Sequence, residues 1–245
     1  MSQQQQQPNE YDNPQFFEKY KEMARSKYGL AGAGEWHELE KMLPDFKNKR
    51  VLDLGCGYGW HCLYAAEHGA SQVVGIDSSV KMIQVAKSKT DSPVISYHVQ
   101  SMEEMDYPAD SFDAVISSLA FHYVASFDAI CTKVKKFLVD GGDFVFSVEN
   151  PIFTAYGTGD WYYDADGKPL HWPVDRYFEE GVRKANFLGQ DVYKYHKTMS
   201  TYINTLVKHG FQITKVVEPL PEKSMIPSMP DELRRPMMLL ISARL

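Results

Sequence analysis

The sequence predicts an α/β domain: a doubly wound, mostly parallel sheet of seven strands with an antiparallel C-terminal strand and a small aromatic-rich cap. Three observations carry this. Short apolar runs alternate with helical stretches between residues 50 and 150, the rhythm of strand, crossover helix and parallel strand. The first apolar run, Val51-Leu52-Asp53-Leu54, passes straight into Gly55, Gly57 and Gly59. After residue 150 the rhythm breaks into an insertion dense in Tyr, Trp and Phe.

Taken in order, residues 1–10 hold a run of five glutamines, Gln3 to Gln7, before Pro8; such a tract cannot bury a core face and is expected to be a disordered tail. Residues 11–245 are expected to form one domain, since 245 residues suit a single α/β unit with additions. Helical patterns come next at residues 13–27, where Phe16, Phe17, Tyr20, Met23 and Ala24 share a face, and at residues 35–43. Residues 11–45 thus read as a helical lid. Strands are predicted at residues 50–54, 72–76, 94–99, 112–117 and 143–148, with helices at 60–67, 79–87 and 127–137. The insertion at residues 149–197 leaves the carboxyl end of the fifth strand and is read as a cap over the neighbouring crevice. A helix at residues 198–208 stops at His209-Gly210. Strands at 211–218 and 237–243 complete the chain, joined by a proline-rich link with no strong helix, so the last strand is expected to run antiparallel at the sheet edge.

The glycine loop reads as a ligand cradle, the plain alternative being a tight strand-to-helix turn. A dinucleotide fingerprint, G-x-G-x-x-G, would need a glycine where Trp60 stands. Asp53 lies two residues before the first glycine, where a carboxylate suits a cationic amine better than a diphosphate. Asp77 ends the second strand, on the crevice side where open parallel sheets bind ligands, and can accept from both hydroxyls of a ribose. It also precedes Ser78-Ser79 at a helix start, so capping is its alternative role.

Several segments, in order, resemble the class I S-adenosylmethionine-dependent methyltransferases of the methyltransferase type 11 kind. Val51 through Gly59 resembles the family's first motif, Gly75-Ile76-Asp77 its ribose-binding acid, residues 111–118 its fourth strand, and residues 138–146 the turn and fifth strand. The resemblance covers residues 45–150 closely and the remainder by topology. It implies a Rossmann-like fold and S-adenosylmethionine as cofactor, held by Asp53, Gly55, Cys56, Gly57, Gly59, Asp77 and Ser78. Ser101 stands where family members often carry an Asp for the adenine amine. The adenine contacts are therefore left to Ser101, Glu103, or Met102 and Met82 with backbone groups.

Ser117 to Tyr123 leaves the fourth strand toward the place where a transferable methyl would lie, so Ser118 borders the donor and His122 and Tyr123 the acceptor. His122 is the candidate base, against the alternative that it only packs locally. His171, Trp172 and His196 in the cap are further candidates for acceptor contact. No catalytic motif is required, because alignment and exclusion of water supply most of what methyl transfer from a sulfonium needs.

Composition narrows the partners. A net charge of -6 and a pI near 5.8 disfavour a phosphate-tracking surface, so a small-molecule acceptor is expected rather than nucleic acid. Cys56, Cys62 and Cys131 lack metal or disulfide spacing, so no metal is expected. With no secretion signal and no apolar run of about 20 residues, the expectation is a cytoplasmic protein without membrane contact. A nicotinamide-dependent oxidoreductase and a non-catalytic S-adenosylmethionine-binding protein are the competing readings.

Overall fold

A computed structural model describes residues 9–245. The glutamine run lies outside the described residues. Asn9 and Glu10, which composition placed in the tail, are instead folded: Asn9 caps a 3-10 turn at Glu10–Asp12 by accepting from the Tyr11 N–H. The predicted first helix is two, α1 (Pro14–Lys21) and α2 (Ala24–Tyr28), because Met23 between them is extended. Asn13 caps α1, with Pro14 at its first position, where a missing N–H costs nothing. A short α3 (Trp36–Leu39) precedes the sheet.

The body continues as β1 (Arg50–Leu54), α4 (Trp60–Glu67), β2 (Gln72–Asp77), α5 (Val80–Ser88), β3 (Ile95–Val99), β4 (Phe112–Ser118), α6 (Phe127–Phe137) and β5 (Leu138–Glu149). Then come α7 (Pro151–Thr154), a hairpin of β6 (Tyr162–Tyr163) and β7 (Pro169–His171), and a second hairpin of β8 (Gly181–Phe187) and β9 (Gln190–His196). The chain closes with α8 (Met199–Lys208), β10 (Gln212–Val217) and β11 (Met238–Arg244).

The seven-stranded sheet has the order β10-β11-β5-β4-β1-β2-β3, parallel except for β11, which runs antiparallel to both neighbours. The expected antiparallel C-terminal strand is present, but it is not at the edge. Leu239, Leu240 and Ile241 are fully buried, whereas β10 is exposed at four of six positions. A continuous apolar run needs cover on both faces and takes the interior place; β10, with Lys215 in it, tolerates the edge.

Period-two alternation splits the core between the two faces of the sheet. Leu52, Leu54 and Val115 pack with Phe127, Ile130 and Phe137 of α6 and with Tyr202 and Leu206 of α8. Val51, Val73, Ala114 and Ile116 pack with Cys62 and Ala65 of α4, Ile83 and Ala86 of α5, and Leu39 of α3. Strand order reverses between β1 and β4, so the loops leaving these strands open a crevice at their carboxyl ends, the usual ligand position in such sheets.

Candidate active site

Two chain reversals build the floor of that crevice. After β1, the Gly55 and Cys56 N–H groups both donate to the Ile76 carbonyl at 2.9 Å, and the Gly57 N–H donates to Asp77 Oδ2 at 3.0 Å. Gly55 sits at φ +72°, and a Cβ there would meet Ala120 Cβ at 2.5 Å and Met102 Cε at 2.9 Å. The loop after β4 and the segment after β3 therefore close on the glycine loop because Gly55 has no side chain. A Cβ on Gly57 would meet nothing within 4 Å, so that face of the loop lies open to a ligand.

A cavity of about 390 Å³ occupies the crevice. Gly55, Gly57, Asp77, Ser78, Met82, Ser101, Met102, Glu103 and Ser118 line one side of it; His122, Tyr123, Glu149, Phe187, Tyr193 and Tyr195 line the other. Asp77 Oδ1 accepts from the Ser79 N–H at 2.8 Å. Burial pushes the Asp77 carboxyl up to about 6, against the pull of the Ser79 and Gly57 N–H groups.

Asp53, Cys56 and Gly59 lie behind the loop rather than on the cavity wall. Asp53 is buried; its Oδ2 accepts from Cys62 Sγ at 3.3 Å, and its Oδ1 has no partner among the described residues. Burial pushes this carboxyl up to about 7, and the Cys62 hydrogen bond only partly offsets that. A buried carboxylate with one bare oxygen beneath the loop is what a cationic amine above it would stabilise through the field.

The N-terminal strap roofs the cavity. Asn9 Nδ2 donates to Ser78 Oγ at 2.9 Å, and Asp12 Oδ1 accepts from Ser79 Oγ at 2.7 Å and from the Lys81 N–H at 3.1 Å, at the start of α5. The Tyr11 and Tyr123 hydroxyls are 2.9 Å apart, which ties the strap to the loop after β4. From α2, Arg25 reaches Ser118 Oγ at 3.1 Å and pairs with the buried Glu35. Sequence reading missed both Arg25 and Glu35, as nothing in their spacing sets them apart. It also missed Glu10 and Tyr11, hidden by the tract before them.

The cap divides. The β8–β9 hairpin supplies cavity wall through Phe187, Tyr193 and Tyr195, while the β6–β7 hairpin packs elsewhere. Trp172 stacks on Phe153 at 5.0 Å, lies 3.9 Å from the Arg235 guanidinium and donates from Nε1 to the Ile152 carbonyl at 3.2 Å. His171 stacks on Tyr162 at 5.1 Å. His196 is buried between Thr154 Oγ1 at 2.7 Å and the Tyr177 carbonyl at 2.9 Å. These three candidates for acceptor contact thus hold the cap together and do not line the cavity.

Fold and site together define a transferase of the adenosyl-cofactor type: a glycine cradle, an acid at the end of β2, and one cavity that runs on from them to the cap hairpin. A profile of the methyltransferase domain matches residues 52–146. The S-adenosylmethionine-dependent methyltransferase of Mesorhizobium loti is 44% identical, with a TM-score of 0.81 over 89% of this chain and 100% of that one. A Listeria monocytogenes chain assigned to the same enzymes is 60% identical, with a TM-score of 0.82 over 86% of this chain and 97% of that one. A Haemophilus influenzae protein of no stated activity is 32% identical over 96% of both chains. Shorter matches include a tRNA U34 carboxymethyltransferase of Alcanivorax borkumensis, a protein arginine N-methyltransferase of Dictyostelium discoideum and a ubiquinone biosynthesis O-methyltransferase of Mesorhizobium japonicum, over 35%, 30% and 45% of their lengths. The chain belongs to the S-adenosylmethionine-dependent methyltransferases, and S-adenosylmethionine is its cofactor. This sets aside the nicotinamide and non-catalytic readings.

Proposed function

We propose that the enzyme methylates a small molecule held in the chamber between the loop after β4, the end of β5 and the β8–β9 hairpin. The carrying observation is enclosure. The strap covers the cavity from one side and the hairpin from another, and its volume of about 390 Å³ serves donor and acceptor together, at the small end of ligand sites, roughly 300–1,000 Å³. A net charge of -6 disfavours a surface that tracks phosphates.

When bound, S-adenosylmethionine supplies a methyl group already activated by its sulfonium. The residues here have the work of holding and enclosing. The Gly55–Gly57 backbone and Asp53 beneath it suit the amino-acid end, Asp77 the ribose, and Met82 and residues 101–103 the adenine. Tyr123, Tyr193 and Tyr195 flank the acceptor and exclude water, so alignment replaces solvent reorganisation. Among the described residues no helix is long and apolar enough to cross a membrane. The three cysteines are unpaired and buried, which suits the reducing cytoplasm we assign to the protein.

The test is a methyl-labelling assay with the purified protein, radioactive S-adenosylmethionine and, in parallel, the metabolite, RNA and protein fractions of a cell extract. Label is expected in the metabolite fraction. Label confined to RNA or protein would refute the reading.

A further inference from the structure

The cavity wall is acidic. Among the described residues that line it, Glu10, Asp77, Glu103 and Glu149 carry carboxyl groups, and Arg25 alone carries a fixed positive charge. His122 adds none, because burial pulls its ring down to about 4 and keeps it neutral. Lys194 and Lys197 lie behind the wall, the first paired with Glu149 and the second donating to the Val124 and Tyr195 carbonyls. An anionic group that enters is therefore repelled along most of the wall and has one place to go. S-adenosylmethionine brings a sulfonium, an ammonium and a single carboxylate.

Arg25 is placed for that last group. Its guanidinium donates to Ser118 Oγ at 3.1 Å, at the end of β4, on the same side of the cavity as Gly55 and Gly57. Ser118 is itself fixed, donating to Glu35 Oε1 at 3.3 Å and accepting from Ser147 Oγ at 3.2 Å. Glu35, only 1% exposed, takes a second guanidinium N–H. Burial would raise its carboxyl, yet the Arg25 charge holds it below the usual range. Glu35 Oε2 is enclosed and turns to no ligand, so this acid serves to orient the guanidinium. A guanidinium has five N–H donors; Ser118 and Glu35 take two, and the side chain keeps 20% exposure and lines the cavity. The fork is thus fixed in place and has donors to spare for a carboxylate.

We propose that Arg25 binds the carboxylate at the donor's amino-acid end, so that the N-terminal segment recognises the donor as a complete amino acid. The glycine loop and the buried Asp53 below it suit the ammonium, and Arg25 meets the carboxylate. Two groups of opposite sign are then matched by opposite charges from separate elements, β1 and α2. The same contact gives the buried Arg25–Glu35 pair a purpose. Such pairs add little stability over apolar side chains of the same volume, so holding α2 in place does not by itself call for one. Because α2 follows the strap that ties Asn9 and Asp12 to the start of α5 and Tyr11 to Tyr123, a carboxylate on Arg25 joins that segment directly to the ligand. The inference rests on the donor and not on the acceptor reading above.

The probes are S-adenosylhomocysteine and its decarboxylated analogue, whose amino-acid end is a plain aminopropyl group that keeps the ammonium. Each is titrated calorimetrically into the full-length protein. Wild type is expected to bind S-adenosylhomocysteine about tenfold or more tighter than the analogue. Arg25→Met/Glu35→Met, which removes the ion pair as a unit, should bring that ratio to within about threefold. A strap merely loosened by the substitutions weakens both ligands alike and leaves the ratio at its wild-type value, which would overturn the proposal. So would a wild type that binds the two ligands equally, the result expected if Arg25 served an anionic acceptor instead. Arg25→Lys keeps a charge beside Glu35 but loses the fork. It should lower the ratio several-fold, and where the double variant does not fold, an unchanged ratio in Arg25→Lys overturns the proposal. Label in RNA or protein in the assay above strikes the small-molecule reading and leaves this inference standing.

Discussion

Asp77 accepts from the glycine loop and from the start of α5, and it faces the cavity. Replacing it with Asn keeps the shape, removes the charge, and leaves one of the two backbone N–H groups facing an amide NH2. Its carboxyl is raised to about 6 in the folded protein, against about 3.9 in an unfolded chain. The folded state thus holds the proton longer, and a contribution of about 3 kcal/mol that favours folding below pH 4 is lost as pH rises toward 6. Asp77→Asn does not have that pH step. At pH 8 the relief from burying a charge and the loss of one hydrogen bond, about 1–3 kcal/mol, nearly cancel.

Cofactor affinity responds differently. A charge-assisted contact to the ribose is worth about 1.5–3 kcal/mol, so Asp77→Asn should weaken S-adenosylhomocysteine by about ten- to a hundredfold at pH 8. In the wild type the carboxylate is progressively protonated below pH 6, and affinity at pH 5 should be about tenfold lower than at pH 8. The variant has no such step, so the gap between the two proteins closes as pH falls. Asp53 is raised to about 7 by burial and in part by the Asp77 charge itself, so both proteins are compared in an Asp53→Asn background. Isothermal titration calorimetry at pH 5, 6, 7 and 8 measures this directly. A wild-type-to-variant ratio that stays constant from pH 5 to 8 would refute the assignment of Asp77 to the ribose.

Gly55→Ala and Gly57→Ala should part company. The first drives a Cβ to 2.5 Å from Ala120 and should cost about 2–4 kcal/mol; the second meets open space and pays only backbone strain of about 1–2 kcal/mol, with weaker cofactor binding. Thermal melting with and without S-adenosylhomocysteine distinguishes them, and equal losses would contradict the geometry. Tyr11→Phe removes the hydroxyl that ties the strap to Tyr123 and should cost about 1 kcal/mol and speed S-adenosylhomocysteine dissociation several-fold in stopped-flow traces. An unchanged off-rate would mean that the strap does not gate the cavity. Arg25→Met strands the buried Glu35 and should destabilise by about 3–5 kcal/mol in urea unfolding, with Arg25→Met/Glu35→Met recovering most of it. Simple addition of the two single penalties would show that the pair is not coupled.

The sheet was legible where its signals are local. Residues 50–54 give β1 to the residue because an apolar run meets a glycine loop, and Asp77 falls on the cavity because strand length and crevice position together fix it. Boundaries blurred where pairing decides: β5 begins at Leu138, well before the predicted residue 143, because Phe112 pairs with Leu138 across an irregular register that no local pattern reveals. The break between α1 and α2 likewise comes from an extended Met23, a residue whose propensity favours helix. His171, Trp172 and His196 misled because residue type announces chemistry while location decides use.

That asymmetry between donor and acceptor has a structural cause. The donor side is made by residues near one another in sequence, at the ends of β1, β2 and β3, so its chemistry is written as a motif. The side we assign to the acceptor joins Tyr11, Tyr123, Glu149 and Tyr195, from four separated segments, and only tertiary pairing brings them to one cavity. Glu149 is the clearest case. In sequence it precedes Asn-Pro and reads as the start of a turn; in the fold it closes β5, takes Lys194 from the cap on one oxygen and keeps the other bare. Because β5 is pinned between β4 and β11, that carboxylate has little freedom to relax away, whereas the β8–β9 hairpin that meets it is a separate two-stranded sheet whose Tyr193 and Tyr195 line the cavity. A scaffold arranged this way can change acceptor by altering the hairpin while the donor site stays fixed.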